Sequence, residues 1–456
     1  MAVRFLFLIF LLFITINYSF ASNIEKSRTP NIIFIMADDL GYGDLGCYGQ
    51  QKIQTPNIDK MALEGMRFTQ FYAGATVCAP SRCSLLTGKH NGHAHVRGNY
   101  EIGHWGSYLG QLPIPKDETT IFEVLKQKAY ATSTYGKWAM GHAASTGAPD
   151  KHGVDDFFGY NCQRHAHSYY PYYLEGNEGE KKWQEGNNRK EGKQYSHDVL
   201  AETALDFITA NKDTNFFMYV PFTIPHTPFQ VPELGIYKNK NWAEKLKIQA
   251  AMITRMDKDV GRIINLLKEL GIDDNTIVFF TSDNGAHGSG STFDFFNASG
   301  SLRGMKRDLY EGGIRTPLIA RWPGKINAGT VSEYVGAFWD IMPTFAEIAG
   351  AKAPAEIDGI SFLPELLGEK QTKHHHLYWE FYEKGGKQAV RKGKWKAVRL
   401  NLHEDFYGSP VELYNLNEDI SESKNVADQY PEIVEDMLGL MKASHSPSEH
   451  FKFKSK

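Results

Sequence analysis

The chain has 456 residues, of which 42% are hydrophobic and 23% are charged, and its formal net charge is −3. This length exceeds what a single hydrophobic core usually supports, so we expect one large domain and a smaller one. The near-neutral charge excludes the strongly basic character that is typical of nucleic-acid-binding proteins, and we expect no nucleic acid among the partners.

The first 21 residues have the pattern of a secretory signal peptide. Arg4 supplies the positive charge, residues 5–16 are apolar, and Ser19-Phe20-Ala21 is a small-x-small cleavage sequence. The apolar run is shorter than the roughly 20 residues that cross a bilayer, so we expect no membrane attachment after cleavage. We therefore place the mature protein in the periplasm or outside the cell. Export permits disulfides, but the sequence does not distinguish the pairings of its four cysteines.

Strands and helices alternate in the pattern that follows the signal peptide. Short runs rich in apolar, aromatic or β-branched residues predict strands at residues 30–36, 131–135, 216–222, 276–281 and 316–322. Helical periodicity and end signals predict helices at residues 55–66, 78–88, 119–128, 198–211 and 244–270. This alternation predicts an α/β fold with a large, mostly parallel central sheet sandwiched by helices.

The pattern changes after residue 360. Short strands are predicted at residues 376–382, 388–391, 394–400 and 411–415, and a final helix at residues 430–442. Such a run is typical of a small antiparallel sheet with a helix. We therefore predict an N-terminal domain over residues 22–360 and a small C-terminal α+β subdomain over residues 361–456.

Polar residues follow four of the predicted strands. In chain order they are Asp38 and Asp39, Lys137, His226, and Asp283 and Asn284. Ligands of open α/β sheets bind beyond the carboxyl ends of the strands. Four polar clusters at such ends indicate one shared site.

Cys78 opens one of the predicted helices. Pro80 suits the first turn of this helix and Gly88 suits its end. A helix N-terminus favours an anion, and Arg82 lies one turn further along the same face. From these residues alone, a buried cysteine at an ordinary helix start is as good an interpretation as a reactive one.

The segment from Cys78 to Lys89 resembles the signature C-x-P-S-R-x-x-x-L-T-G of the type I sulfatases, which belong to the alkaline phosphatase superfamily. It matches at every specified position, and Lys89 stands where the family usually has Arg. The resemblance extends from residue 30 to about residue 414. It implies hydrolysis of sulfate esters by a formylglycine made from Cys78. The hydrated aldehyde attacks sulfur, the alcohol leaves, and the aldehyde re-forms as sulfate is expelled. A formylglycine-generating or anaerobic maturation enzyme is then a required partner.

The same resemblance implies a cation site. Asp38, Asp39, Asp283, Asn284 and the modified Cys78 would hold one divalent cation, Ca²⁺ with Mg²⁺ as the alternative. Carboxylate and amide oxygens are the ligands that Ca²⁺ prefers. The absence of a His and Cys ligand set argues against zinc.

The resemblance also assigns the groups around the sulfate. Lys137, in a GKW segment, would contact sulfate, and Arg82 would steady the formylglycine and the metal ligands. His226, in a PHTP segment, and Lys306, in an LRGMK segment, would flank the ester oxygen as acid or charge stabiliser. Ala139 stands where many sulfatases have a histidine. The candidates to replace that histidine are His142, His152, His165 and His167.

Residues 161–173 (NCQRHAHSYYPYY) are rich in His, Arg and Tyr. We predict that they line the substrate pocket and that Arg164, His165 and His167 contact hydroxyl or carboxylate groups. A structural loop with its tyrosines packed inward is an equally good interpretation. Export and abundant aromatic residues favour a sulfated carbohydrate as substrate, such as an algal polysaccharide or a glycan oligosaccharide.

Two other functions stay open at this point. One is a phosphate or phosphonate ester hydrolase of the same superfamily, which would share the metal carboxylates. The other is an inactive sugar-binding relative, for which the only supporting feature is Ala139.

Overall fold

The computed structural model describes residues 29–105, 108–287 and 291–453. The predicted signal peptide lies outside the described residues. Within these ranges, none of the helices combines the length and the apolar composition needed to span a bilayer. The four cysteines are all free thiols.

The strands of the described residues form an eleven-stranded sheet, a four-stranded sheet and a two-stranded sheet. They are β1 (Asn31–Ala37), β2 (Met66–Tyr72), β3 (Gly103–Trp105), β4 (Tyr108–Gly110), β5 (Ala131–Lys137), β6 (Asp156–Tyr160), β7 (Tyr173–Glu175), β8 (Lys181–Trp183), β9 (Phe216–Pro221), β10 (Thr276–Ser282), β11 (Arg315–Arg321), β12 (Thr330–Ser332), β13 (Gly336–Ala337), β14 (Leu377–Phe381), β15 (Lys387–Lys392), β16 (Trp395–Leu400) and β17 (Val411–Asn415).

The helices are distributed along the whole of the described chain. They are α1 (Pro56–Leu63), α2 (Cys78–Thr87), α3 (Ile121–Lys126), α4 (Ser196–Ala210), α5 (Glu244–Glu269), α6 (Ser291–Phe296), α7 (Glu311–Ile314), α8 (Ile341–Ala349), α9 (Leu363–Leu366) and α10 (Pro431–Ser444).

The large sheet is covered on both faces because its central strands are apolar on both sides. In β1, Ile32 and Phe34 pack into one core together with α2, α3 and α8. Ile33 and Ile35 point to the other face and pack with α1, α4 and α5. Successive side chains of a strand alternate between faces, so a strand without polar residues requires helices on both sides. The predicted α/β sandwich is confirmed.

The order of the central strands is β10-β1-β9-β5-β6, and each of these neighbours is paired in parallel. Antiparallel strands flank this parallel centre, with β11 beside β10 and β7 beside β6. Because the carboxyl ends of β10, β1, β9 and β5 meet at one edge, the segments that follow them lie side by side.

A four-stranded antiparallel sheet, β14-β15-β16-β17, follows the main body, and α10 packs on it through Met437 and Met441. Buried ion pairs join it to the rest of the molecule. Lys396 Nζ lies 2.9 Å from Glu311 Oε1, and Arg97 Nη1 lies 2.9 Å from Glu380 Oε1. The division at residue 360 stays a prediction.

Candidate active site

Asp38 and Asp39 leave the end of β1 with both carboxylates buried. The backbone N–H of Asp38 donates to the carbonyl of Ile224, which ties this turn to the segment after β9. Asp39 has a φ of 67°, in the left-handed region that few side-chain-bearing residues adopt. Its N–H donates to Oδ1 of Asp283 over 3.2 Å. In a strand, the side chains of consecutive residues point to opposite faces. The left-handed conformation of Asp39 ends this alternation, so the carboxylates of Asp38 and Asp39 can both face one site.

Cys78 is the first residue of α2, and all ten residues of this helix are buried. The side-chain Oδ1 of Asn99 accepts the N–H of Ala79 over 2.9 Å, which satisfies one of the free donors at the helix start. Cys78 Sγ lies 3.3 Å from Asp38 Oδ1 and 3.3 Å from Lys306 Nζ. Burial raises the pKa of this thiol well above its ordinary value. The unmodified thiol is therefore protonated, and it lies among the predicted metal and sulfate ligands.

Arg82 connects three of the strand ends. Its Nη2 lies 2.7 Å from Asp283 Oδ2 and 3.3 Å from Asp38 Oδ2. Its Nη1 donates to the backbone carbonyl of Lys137 over 2.7 Å. The guanidinium is fully buried, so these contacts are shielded from solvent and hold the ends of β10, β1 and β5 in register.

Two lysines approach the paired carboxylates from different sides. Lys137 Nζ lies 2.7 Å from Asp38 Oδ2, and Lys306 Nζ lies 2.6 Å from Asp39 Oδ1. Burial alone would raise the pKa of Asp38, but Lys137 and other nearby cations outweigh it and hold the pKa far below its ordinary range. Burial and the negative charge of Asp38 raise the pKa of Asp283 to about 6, against the effect of Arg82. The negative charges of Asp38 and Asp283 are therefore close enough to repel each other.

His226 follows β9 and reaches the same carboxylates. Its Nε2 lies 3.5 Å from Asp39 Oδ2, and its Nδ1 lies 2.5 Å from the carbonyl of Thr227. Since a carbonyl only accepts, Nδ1 carries a proton and Nε2 is the atom that exchanges one at the site. Burial lowers the pKa of His226, Asp39 opposes this effect and Lys306 adds to it, and the resulting pKa is about 4.

The side chain of Asn284 shows whether these residues fit a metal ion, because only one of its two polar atoms has a partner in the protein. Its Nδ2 donates to Asp39 Oδ1 over 2.7 Å, but its Oδ1 is buried without a hydrogen-bond partner. A buried carbonyl oxygen without a partner is costly unless something else satisfies it. Ligand atoms of Asp38, Asp39, Cys78 and His226 lie within 4.8 Å of one another. Asp283, whose Oδ1 accepts the N–H of Asp39, and the unpartnered Asn284 Oδ1 add further oxygens to those of the two aspartates, and carboxylate and amide oxygens suit a hard divalent cation.

A second cluster, formed by His90, His93 and Asp358, fits a metal less well. His90 Nδ1 accepts the N–H of Gly92, so its proton lies on Nε2. Asp358 already accepts from the His90 backbone N–H at 2.9 Å and contacts His93 Nδ1 at 2.8 Å. These groups satisfy one another in the absence of an ion.

Sequence comparisons place this arrangement in a family. The Sulfatase family profile matches residues 30–351, and the profile "N-sulphoglucosamine sulphohydrolase, C-terminal" matches residues 304–445. The chain belongs to the sulfatase family. It is 36% identical over 390 residues to N-acetylgalactosamine-6-sulfatase of Canis lupus familiaris, which covers 81% of this chain and 72% of that protein. It is 33% identical over 479 residues to arylsulfatase A of Homo sapiens, over 93% and 89% of the two chains.

The fold of this sulfatase is similar to that of Ps i-CgsB in complex with k-i-k-neocarrahexaose. The TM-score is 0.78 at 30% sequence identity, and the match covers 91% of this chain and 92% of that chain. As a member of the sulfatase family, the protein is a sulfuric ester hydrolase.

The predicted substrate residues of the sulfatase occupy different environments. The exposed His167 stacks on His226, with ring centroids 5.3 Å apart and an interplanar angle of 11°. Arg164 forms an ion pair with Glu101 near the surface. His165 is buried, and its Nε2 contacts the carbonyl of Tyr173 over 3.0 Å. His167 thus contacts another site residue directly, and the substrate role of all three stays a prediction.

The other histidines that were candidates to replace the one missing at Ala139 lie elsewhere. His152 is fully buried, with its Nε2 against the carbonyl of Thr146, and His142 Nδ1 accepts the N–H of Ala144. Ala139 itself is buried and has a φ of 64°.

Three neighbours of the site were not singled out in the sequence, although Tyr169 lies in the segment 161–173 that was predicted to line the pocket. His287 Nδ1 lies 3.8 Å from Asp39 Oδ2, Asn99 caps the helix of Cys78, and Tyr169 contacts the turn that carries His226. His287 lies only three residues after Asn284, so its place near the end of that strand is a signal that the sequence offers. No local pattern points to Asn99, because its contact is with the distant backbone of Ala79.

Proposed function

We propose that this sulfatase hydrolyses sulfate monoesters on a sulfated carbohydrate in the periplasm or outside the cell. The observation that carries the proposal is the position of Cys78, whose sulfur lies 3.3 Å from both Asp38 Oδ1 and Lys306 Nζ. The nucleophile position of the signature thus adjoins an anionic cluster suited to a cation and an ammonium group suited to sulfate. We infer maturation of Cys78 to formylglycine by a dedicated enzyme of the host.

The relatives support a carbohydrate as the substrate class. Among them are an N-acetylgalactosamine-6-sulfatase and a structure in complex with k-i-k-neocarrahexaose, each at 30% identity or more. The side chains beside the site add support, because the exposed His167 and the half-buried His287 offer ring N–H groups and lone pairs to sugar hydroxyls.

Asp38, Asp39, Asp283 and Asn284 would hold one Ca²⁺, with Mg²⁺ as the alternative. When present, the hydrated aldehyde supplies the oxygen nucleophile and the cation supplies positive charge beside it. Asn284 Oδ1, a buried oxygen that has no protein partner, would then be satisfied by the cation.

Four side chains of the protein have separate roles in sulfate transfer. Lys137 and Lys306 place ammonium groups where the sulfate oxygens gain negative charge. Binding of the anionic sulfate ester beside His226 favours the doubly protonated ring, which gives a proton from Nε2 to the leaving ester oxygen as the bond between sulfur and that oxygen breaks. Arg82 does not contact the ester in this assignment, and it holds Asp38 and Asp283 in position.

We further propose that residues 22–360 carry these groups and that residues 361–456 support them. Lys387, on β15, donates from Nζ to the carbonyl of Arg307 over 2.7 Å and contacts Asp308 Oδ1 at 2.9 Å. Because Arg307 directly follows Lys306, this contact from the C-terminal sheet fixes the loop that carries the second lysine.

The test combines peptide mass with sulfate release. The protein is expressed with a maturation enzyme, and the peptide around Cys78 is expected to show the mass change of a thiol converted to an aldehyde. Sulfate release is then measured on N-acetylgalactosamine 6-sulfate, a sulfated carrageenan oligosaccharide and 4-nitrophenyl sulfate, and phosphate release is measured on 4-nitrophenyl phosphate. Release from a sulfated sugar, lost in Cys78→Ala and kept in Cys83→Ala, supports the proposal. Release only from the phosphate ester would contradict it.

A further inference from the structure

The turn that carries His226 is held by the loop between β6 and β7. This turn, residues 223–226, is closed by a hydrogen bond from the N–H of His226 to the carbonyl of Thr223 over 3.1 Å. The phenol of Tyr169 donates to the carbonyls of both residues, at 2.6 Å each. One hydroxyl therefore bridges the two ends of the turn.

His167, two residues earlier in the same loop, acts on the ring of His226. The two imidazoles are nearly parallel, with centroids 5.3 Å apart and an interplanar angle of 11°. His226 Nδ1 is already fixed at the carbonyl of Thr227. A ring that is bonded at one nitrogen and covered on one face has little freedom to turn its other nitrogen away from Asp39.

The loop is anchored well enough to impose this geometry. Tyr169 is 1% exposed, its N–H donates to Oε1 of Gln230 over 3.0 Å, and its carbonyl accepts the N–H of Ser196 over 2.9 Å. The phenol of Tyr160 donates to the carbonyl of Ser168 over 2.7 Å. Burial also raises the pKa of Tyr169 well above its ordinary value, so its hydroxyl keeps the proton that it donates.

We propose that His167 and Tyr169 are positioning residues for His226, which keep its Nε2 directed at the leaving ester oxygen. The assignment rests on the proposed function, in which His226 protonates that oxygen. Tyr169 fixes the backbone of the turn, and His167 fixes the plane of the ring. Neither residue needs to exchange a proton with the substrate.

Leaving-group dependence distinguishes this role from a general structural one. A sugar alkoxide needs a proton as it leaves, whereas a nitrophenolate leaves without one. Loss of His226 positioning should therefore slow hydrolysis of a sugar sulfate and leave 4-nitrophenyl sulfate almost unaffected. A defect in folding or in maturation of Cys78 would lower both rates equally.

The experiment compares variants on 4-nitrophenyl sulfate and on the sulfated sugar that the wild type hydrolyses fastest. In Tyr169→Phe and His167→Ala we expect kcat on the sugar to fall about tenfold, with less than about a twofold change in KM and in the aryl sulfate rate. His167→Phe keeps a stacking ring without nitrogens and should retain most of the activity. Tyr195→Phe is the matched control. It also removes a phenol from a tyrosine that packs on Tyr169, but this phenol donates to the carbonyl of Gln230, at 2.7 Å, and not to the turn that carries His226.

Several results would overturn the assignment. Equal losses on both substrates would mean a structural role, and unchanged sugar kinetics in Tyr169→Phe and His167→Ala would mean none. If His167→Phe is as slow as His167→Ala, then His167 acts through its nitrogens and not by stacking. A wild type that releases no sulfate from either ester would instead contradict the proposed function.

Discussion

The guanidinium of Arg82 lies 2.7 Å from the carboxylate of Asp283, and neither side chain is exposed to solvent. This pair joins the helix of Cys78 to the strand end that carries Asn284. Arg82 also contacts a second carboxylate, because its Nη2 lies 3.3 Å from Asp38 Oδ2. One buried cation thus compensates two carboxylates before any metal binds.

Removing that cation should destabilise the whole domain. In Arg82→Met, Asp38 and Asp283 lose a buried partner, and we expect the free energy of unfolding to fall by about 3–5 kcal/mol. Urea denaturation followed by circular dichroism measures the change. Arg255→Met is the control, because its pair with Asp198 is partly exposed and should contribute no more than about 1 kcal/mol. Equal effects of the two substitutions would contradict the stabilising role given to Arg82.

Metal removal tests the cation site. After treatment with a chelator, we expect loss of sulfate release and a lower melting temperature, both restored by Ca²⁺. A ligand present at about 100 times its dissociation constant adds about 2.7 kcal/mol to the free energy of unfolding. Asn284→Leu removes the unpartnered oxygen and should weaken this response strongly. Asp358→Asn, in the other histidine-containing cluster, should respond like the wild type. A melting temperature insensitive to Ca²⁺ and Mg²⁺ would exclude the site.

The two lysines should differ from surface lysines in their effect on turnover. Lys137→Met removes the ammonium group that lies 2.7 Å from Asp38 Oδ2, and we expect kcat to fall by about 10²–10³. Lys306→Met should act similarly. Lys392→Met removes a cation paired with Asp436 at the surface and should leave kcat unchanged. A Lys137→Met enzyme with wild-type kcat would contradict a role for this group in charge stabilisation.

The strands β1, β9 and β10 could be predicted because each is an apolar run that polar residues follow. The predicted strand at residues 30–36 is β1 (Asn31–Ala37), and the predicted helix at residues 244–270 is α5 (Glu244–Glu269). The order of the strands could not be predicted from such runs. It brings the four polar clusters together, since β10, β1, β9 and β5 are consecutive neighbours in the sheet.

The sequence was less informative at the edges of the sheet. The helix predicted at residues 55–66 ends early, at Leu63, and the chain continues into β2 (Met66–Tyr72), which was not predicted. The reason lies in tertiary packing. A side chain at Gly65 would stand 2.2 Å from the carbonyl of Ala320 in β11, so the chain passes this strand where only glycine fits. No local pattern shows that contact.

The substrate side of the site was predicted only in outline. Residues 161–173 lie beside His226 through His167 and Tyr169, but His165 packs inward against Tyr160 and Tyr173. Three neighbouring aromatic or histidine residues thus take three different orientations. The loop backbone decides these orientations through bonds to residues as distant as Gln230, which sequence spacing does not encode.

The stability of the protein should depend on pH through Asp44. This carboxyl is fully buried, its Oδ2 accepts the N–H of Gly41 over 2.8 Å, and its Oδ1 has no partner. Burial raises its pKa from the ordinary 3.8 to about 7, although the Gly41 hydrogen bond lowers it. The native state therefore holds a proton that the unfolded chain releases at a lower pH. The resulting stabilisation is fully present below pH 4 and is lost as the pH rises through about 7.

The measurement is the free energy of unfolding of the wild type and of Asp44→Asn from pH 4 to pH 8. The asparagine is neutral at every pH, so the wild type should lose at most about 4 kcal/mol relative to the variant over this range. Asp259→Asn is the control of opposite sign. Burial would raise the pKa of Asp259, but His197 and Arg262 outweigh it and lower that pKa. The difference between the wild type and Asp259→Asn should therefore stay constant above pH 4 and diminish only at lower pH. A constant difference between the wild type and Asp44→Asn across the range would show that Asp44 ionises in the folded protein without cost.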